Sequence, residues 1–466
     1  MQVDVAIIGA GPTGLMLAYE LRLAGVSVAV LERDAERSSQ SKALNLQPRT
    51  AEVLDMRGLL DSLLTRSVGS IPDGHFAALP EPLRYEGWRT RHDHQVRIAQ
   101  TDTETALEQA VADVVWRERE LVGLEQDENG VTARLADGAE VTARWLVAAD
   151  GGRSTVRKLL GTPFDGRAAR MRALVADITL ASGAEWLASE FTSIRDFTGD
   201  VERWAPLFPI GGGKYRIMLT GERQQRAAKD DPVTEEEIRE GLAVVHGDQV
   251  TLGELLIGSR FTDANRQVRN YREGRVFYAG DAAHIHLPAG GQGLNLGMQD
   301  AVNLGWKLAA VLRGEAPETL LDSYHAERHP VGARVLQNTR AQGILIGLAR
   351  DPDGTALRET FTTLMAFPEV NRYLAGMVSG LDIRYPSDCG HELAGRRLID
   401  YDLADGGRAF ERMRSGEWVT LTAAEVPGLE AETVLVRPDG YVHWAGERAG
   451  LEAALATRFG SVPVTT

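Results

Sequence analysis

The chain opens on a short, nearly continuous apolar run, Val3, Val5, Ala6, Ile7 and Ile8. A run without alternation suits a parallel strand covered on both faces. Gly9-Ala10-Gly11-Pro12-Thr13-Gly14 follows at once, then good helix formers from Leu15 to Ala24, a stop at Gly25, and a second strand from Val26 to Leu31 that ends at Glu32. The pattern predicts a βαβ unit. Two later apolar runs, Trp145 to Ala149 and Arg275 to Ala279, also read as strands, each ending in an acidic-glycine pair. Between and around them, Ile71 to Val96 and Ala173 to Phe261 alternate with frequent turns, which suits an antiparallel sheet. Trp204, Phe208, Tyr215 and Met218 lie on candidate strands there, either as core or facing a ligand. Pro317 to Asn338 and the stretch to Ala375 read as helical. Near the end, strands at Thr433 to Arg437 and Tyr441 to Trp444 flank a Pro-Asp-Gly turn, and a helix spans Leu451 to Phe459.

Composition narrows the partners. With 466 residues the chain has room for about three domains. Its 51 basic against 66 acidic residues give a net charge of -15, which repels nucleic acid and anionic membranes. Small molecules remain. Asp4 precedes the first apolar run and three glycines break it, so no secretory signal is expected. The uncharged stretch Ala282 to Gln299 is too rich in Gly, His, Gln and Asn for hydrocarbon. Cys389 is the one cysteine, so no intrachain disulfide forms, as suits a cytoplasmic protein.

In the first motif, Gly9 permits a tight turn, Gly11 lets a pyrophosphate approach the backbone, and Gly14 lets helix and strand pack closely. The helix amino terminus offers N–H groups to phosphate. Glu32 stands where an acid takes ribose hydroxyls, and Arg33 is placed for the adenosine end. FAD and NAD(P) both fit this motif alone. The second motif is Asp150-Gly151 before a helix capped by Ser154 or Thr155. The third is Gly280-Asp281-Ala282-Ala283-His284, followed by Pro288-Ala289-Gly290-Gly291-Gln292-Gly293-Leu294-Asn295 and a helix to Leu312. There a carboxylate can bind a sugar-alcohol hydroxyl, and a glycine turn lets backbone N–H groups approach a flat, electron-rich ring.

These three motifs, in this order, resemble the group A flavoprotein monooxygenases of the p-hydroxybenzoate hydroxylase superfamily. Within it, Gly280 to Gly293, Asn303-Leu304-Gly305-Trp306-Lys307-Leu308, Asp322 to Pro330 and Leu435 to Trp444 are similar to the aromatic polyketide hydroxylases and rifampicin monooxygenases. The resemblance implies an α/β fold: a discontinuous Rossmann-like, glutathione-reductase-type FAD-binding domain (1–72, 98–175 and 265–345) and an antiparallel-sheet substrate domain (73–97 and 176–264). A helical connection (346–388) and a degenerate thioredoxin-like domain (389–466) would follow. One cysteine leaves that tail without a redox pair.

The resemblance further implies FAD held by Glu32 and Arg33 at the adenosine end, with Gln100, on the segment entering a helix from Asp102, near the pyrophosphate or ribityl chain. Asp281 would hold the ribityl and pyrophosphate region, and Leu294 and Asn295 would present backbone to the flavin ring. Thr13, Leu121, Asp150 and Thr155 fall where the family touches the cofactor. Lys42 stands where relatives carry an arginine, and lysine keeps the charge but not a planar stack. Implied co-substrates are NADPH (or NADH) and O2. The expected reaction inserts one oxygen atom into a polycyclic aromatic, polyketide-type substrate through a C4a-(hydro)peroxyflavin, sheltered by the loop of Pro288, Gly290, Gly291 and Gly293. Inactivation of a rifamycin-type antibiotic and Baeyer–Villiger oxygenation are the alternatives. A flavin-dependent halogenase is disfavoured, because no Trp-x-Trp-x-Ile-Pro occurs. A monomer or homodimer is expected.

Other clusters have plainer readings. His284 and His286 lack a carboxylate or cysteine set to complete a metal site, so they read as support for the flavin motif. His325, Glu327, Arg328 and His329 read as a solvated or interface helix end before Pro330. His391-Glu392 is no zinc-protease motif, Gly211-Gly212-Gly213-Lys214 reads as a hairpin turn, and no Gly-x-Ser-x-Gly elbow is present.

Overall fold

In the computed structural model, which describes residues 1–187, 207–348 and 351–459, the first strand (Gln2–Ile8) runs parallel between Glu140–Ala148 and Val28–Leu31. Val5, Ala6, Ile7 and Ile8 alternate between the two faces of the sheet and are all buried, so both faces are covered, which explains the apolar run. Val115–Trp116 extends the sheet beyond Val28–Leu31, and Val276–Tyr278 pairs in parallel with Glu140–Ala148. Arg272–Glu273 closes that edge, and the antiparallel strands Leu121–Gln126 and Val131–Leu135 complete eight. All three motif strands therefore lie side by side and end on the same edge.

Helix Pro12–Leu23 starts with proline, whose missing N–H costs nothing in a first turn. It buries Leu15, Met16, Leu17 and Leu21 against the sheet and against helix Gly293–Leu312. Gly305 permits that crossing, since a Cβ there would stand 2.6 Å from the Cβ of Glu20.

A second, four-stranded antiparallel sheet is ordered Leu207–Gly211, Lys214–Leu219, Arg172–Ser182, Thr251–Thr262. Gly212 and Gly213, both left-handed, make the expected hairpin. Leu174, Ala176, Ile178, Tyr215 and Ile217 bury one face with Ile238 and Leu242 of helix Glu235–His246. Tyr215 is thus ordinary core, Met218 is half-buried, and Trp204 lies outside the described residues.

The expectation at His325–His329 is corrected. Helix Asp322–Gly347 continues through Pro330, and Glu327 and Arg328 are only 3% and 0% exposed. Their partners come from distant segments. Arg437 donates to both Glu327 oxygens at 2.6 and 2.7 Å, and Lys307 Nζ reaches Glu327 at 2.8 Å. Burial pulls the Lys307 ammonium down to about 8, against the pull of Glu327. Glu327 itself is held well below the usual carboxylate range, because Arg437 and Lys307 outweigh its burial.

Arg437 belongs to the last part of the chain, where Val419–Thr422, Thr433–Val436 and Val442–Gly446 form an antiparallel sheet followed by helix Leu451–Thr457. Cys389 is half-buried and its Sγ donates to Ala445 O at 3.4 Å. Buried Arg57, paired with Glu20 at 2.7 and 2.9 Å, also donates to Met413 O and Pro438 O. The tail is therefore docked by charges as well as by apolar contact.

Two predictions follow from this docking. Arg437→Met should destabilise the protein by about 3 kcal/mol in urea unfolding, because Glu327 loses its bidentate partner while remaining buried. His443 is pushed down to about 4, chiefly by burial and then by Arg437. The unfolded chain then binds the extra proton below about 6.5, so stability falls as pH drops from about 6.5 towards 4. Replacing His443 with Phe should remove about 1–2 kcal/mol of the loss between pH 7 and pH 5.

Candidate functional site

At the shared sheet edge Gly9, Gly14, Gly280 and Gly297 sit where no side chain fits. A Cβ on Gly9, whose φ is +104°, would stand 2.6 Å from Ala149 O, and one on Gly14 would stand 2.0 Å from Gly9 O. The Thr13 side chain lies between Gly280 and Gly297, whose Cβ atoms would approach its Oγ1 to 2.5 and 2.3 Å. Gly11 differs, with nothing within 4 Å of its Cβ position. It caps helix Pro12–Leu23 without a side-chain bond, so the first-turn N–H groups face open space. Such a helix start can seat a phosphate.

Glu32 stands beside this seat. Its Oε2 accepts Ala10 N–H at 2.8 Å and its Oε1 accepts Asp34 N–H at 3.1 Å, which fixes both oxygens with lone pairs to spare. Arg33 is 70% exposed, 3.5 Å from Asp34. Gln100 begins helix Gln100–Val111, two residues earlier than expected. Its N–H donates to Ser41 Oγ at 2.7 Å, its Oε1 accepts Ala43 N–H at 3.2 Å and its Nε2 donates to Glu104 at 2.8 Å. Gln100 thereby staples the Ser41–Ala43 loop, on which Lys42 is exposed. Burial raises the Glu104 carboxyl above its ordinary range, opposed by the Gln100 bond. Leu121, expected near the cofactor, has its side chain packed in the core.

Asp150 Oδ2 accepts the N–H groups of Thr155 and Val156 at 2.6 and 3.1 Å, and Ser154 caps helix Thr155–Leu160. Asp150 Oδ1 is buried without a partner among the described residues, and burial raises this carboxyl. Asp281 is exposed on the turn Gly280–Ala282.

The glycine loop beyond it is held by its carbonyls. Gly290 and Gly291 are left-handed, at φ +74° and +62°. The carbonyls of Ala289, Gly290 and Gly291 accept from Gln292 Nε2 (3.1 Å), Gln47 Nε2 (2.7 Å) and Asn295 Nδ2 (2.8 Å). Asn295 Oδ1 also accepts Gln47 N–H at 2.8 Å, so only the backbone of Asn295 is left for a ligand. Gln292 does not cap helix Gly293–Leu312 with its side chain, and the N–H groups of Gly293 and Leu294 start that helix.

Sequence reasoning read His284 as support for the flavin motif but missed the partners that hold it behind the loop. His284 Nε2 lies 2.7 Å from Asp300 Oδ2, Asp300 Oδ1 accepts Arg328 Nε at 2.7 Å, and Arg328 donates to Tyr385 Oη at 3.1 Å. Burial pushes the Asp300 carboxyl up, but Arg328 and His284 outweigh it and hold it low. Asp300 and Lys307, the two charged residues of the twenty in helix Gly293–Leu312, were the available signal. His286 Nδ1 is 2.8 Å from Leu287 O, and burial depresses that imidazole. No group of three or more His, Cys, Asp or Glu able to hold a metal ion occurs among the described residues, and no helix there is long and apolar enough to cross a membrane.

An open phosphate seat, an unpaired buried Asp150 oxygen and a second uncapped helix start beyond a flat glycine loop together fit a flavin dinucleotide. Gly280→Ala should weaken FAD retention at least tenfold in a fluorescence titration, because the new Cβ meets Thr13. Gly25→Ala is the matched control, at φ +74° with nothing within 4 Å. It should cost about 1 kcal/mol of stability and leave FAD binding intact.

The family described as "FAD binding domain" matches residues 2–339, and one described as "Aromatic-ring hydroxylase, C-terminal" matches residues 422–462. A rifampicin monooxygenase of Streptomyces venezuelae is 44% identical over 466 residues, covering 95% of this chain and 96% of that protein. An anhydrotetracycline monooxygenase of Streptomyces rimosus is 43% identical, covering 99% of both. The solved structure of OxyS anhydrotetracycline hydroxylase from Streptomyces rimosus superimposes with a TM-score of 0.88 at 42% identity, covering 99% of this chain and 100% of that one. The chain therefore belongs to the FAD-binding aromatic-ring hydroxylases and is an FAD-dependent monooxygenase.

Proposed function

We propose that this monooxygenase uses NADPH and O2 to place one oxygen atom on a multi-ring aromatic compound of the polyketide type. One oxygen atom enters the product and the other leaves as water, while NADPH is oxidised to NADP+ and one proton is taken up from solvent. The observation that carries the reading is the glycine loop. Its three carbonyls are tied back to buried amides, so it offers N–H groups and bare Cα surface to a flat ring. Bound FAD would supply the electron transfer and the activation of oxygen.

The chain's own residues bind and orient. Gly9, Gly11, Thr13 and Gly14 form the pyrophosphate seat, with Glu32 and Arg33 at the adenosine end, Gln100 near the pyrophosphate or ribityl chain, and Lys42 where relatives' arginine meets the flavin. Asp150, Thr155 and Asp281 take the middle of the cofactor, and the N–H groups of Gly293, Leu294 and Asn295 favour negative charge on the ring. Pro288, Gly290 and Gly291 keep water from the reacting side.

Residues 1–72, 98–175 and 265–345 then act as the cofactor domain, and 73–97 with 176–264 as the substrate domain. Residues 346–388 connect them to a thioredoxin-like tail at 389–466. A cytoplasmic location suits the lone thiol. A rifamycin-type antibiotic is the second substrate reading, supported by the 44% identical relative.

The test is incubation of the FAD-loaded protein with NADPH, 18O2 and either anhydrotetracycline or rifampicin. Substrate-stimulated NADPH oxidation and a product heavier by one labelled oxygen are expected. Oxidation indifferent to both compounds would sink the substrate assignment. Asp281→Ala should lose most of its FAD on gel filtration.

A further inference from the structure

Two chains of buried polar side chains leave the glycine loop and end on the same short stretch of the chain. In the first, Gln292 Nε2 donates to Ala289 O, Asn338 Nδ2 to Gln292 Oε1 at 3.3 Å, and Gln342 Nε2 to Asn338 Oδ1 at 3.0 Å. The Ala77 N–H then donates to Gln342 Oε1 at 3.0 Å. A backbone carbonyl closes one end and a backbone N–H the other, so the orientation of each amide between them is determined.

In the second, Gln47 Nε2 donates to Gly290 O, Tyr85 Oη to Gln47 Oε1 at 3.3 Å, and Gln95 Nε2 to Tyr85 Oη at 2.8 Å and to Asp73 O at 3.2 Å. Gly74 has to be glycine here, because a Cβ would stand 2.4 Å from Tyr85 Oη. Gln47, Tyr85, Gln95, Gln292, Asn338 and Gln342 are each no more than 6% exposed. Buried polar chains of this kind are tolerated only when every member is satisfied, and then they act as rigid struts.

The stretch on which both struts land is strained. Ala77 and Ala78 are consecutive left-handed residues at φ +52° and +50°, a conformation that alanine disfavours. Arg358 holds them there, donating to Ala77 O, Ala78 O and Leu345 O at 3.2, 3.3 and 2.7 Å. Just ahead of them, His75 has a buried ring nitrogen, Nδ1, with no partner among the described residues. Burial pulls this imidazole down to about 4, so it is neutral and able to share a hydrogen bond with an aromatic hydroxyl.

We propose that residues Asp73–Ala78 form a substrate-side jaw whose position sets that of the glycine loop, so that an aromatic hydroxyl compound held at His75 is sensed at the flavin through the two polar struts. Gln47, Gln292, Asn338 and Gln342 are then positioning residues. The nature of the compound rests on the proposed function, whereas the coupling between jaw and loop does not.

Hydrogen–deuterium exchange on the FAD-loaded full-length protein tests it. Gln342→Met keeps the volume and removes the strut, and Gln342 makes no hydrogen bond to the loop carbonyls, its bonds going to Asn338 and Ala77. Exchange across residues 289–293 should rise at least tenfold. Thr339→Val, on the same helix and equally buried but bonded only to its own helix, should leave it unchanged. Anhydrotetracycline should slow loop exchange at least fivefold in the wild type, and His75→Phe should abolish that protection without altering the rate with FAD alone.

Loop exchange within twofold of wild type in Gln342→Met, or an equal rise in Thr339→Val, overturns the coupling. Full protection retained in His75→Phe overturns the jaw. Asn338→Leu breaks the same strut and replaces Gln342→Met if that variant does not fold. A wild type that leaves anhydrotetracycline unoxidised, while Gln342→Met still loosens the loop, overturns the proposed substrate and upholds the coupling.

Discussion

Thr13 is wedged between Gly280 and Gly297, and Gly9 lies against Ala149, at distances that no Cβ would survive. These contacts pin the ends of three parallel strands, drawn from the beginning, middle and later part of the chain, to one another. Any side chain there would force the first motif away from the second or the third. The open helix start at Gly11, the Asp150 carboxylate and the turn at Gly280 lie together on one sheet edge only because these glycines leave room for the backbone to close up. Everything placed around the cofactor inherits that geometry.

A second constraint is electrostatic and runs through helix Asp322–Gly347. Glu327 and Arg328 are buried near its start, the first against Arg437 and Lys307, the second against Asp300 behind His284. Farther along, the same helix carries Asn338 and Gln342, which strut the glycine loop. One helix thus docks the tail, supports the turn after the third motif strand and steadies the loop beyond it. Desolvated charges tolerate no loss of a partner, so movement of the tail is resisted at the same element that sets the loop.

What could be read from the sequence was whatever carries its meaning locally. A glycine at a fixed offset from an apolar run, an Asp-Gly after a strand, or an apolar run without alternation each restricts the backbone by itself. The βαβ unit, the three motif strands and the hairpin at Gly212 were legible for that reason. Charged and polar residues were not, because their role depends on who faces them. Glu327 and Arg328 resemble a wet helix end until Arg437 and Asp300 are brought beside them. Tyr215, a candidate for substrate contact, packs on the sheet face covered by Ile238 and Leu242, and the Asn295 side chain ties the loop beside the backbone that was expected to serve the ring.

The amino-acid sequence by itself determined that this chain builds a dinucleotide-binding βαβ unit and two further glycine turns at strand ends, because glycine spacing is a statement about backbone; the flavin followed from the family those motifs resemble. Tertiary structure decided which polar side chains hold that backbone still. Gln47, Gln292, Asn338 and Gln342 are unremarkable in sequence, since amides are common and bear no charge. Only burial, which removes water as an alternative partner, turns them into struts with one orientation each.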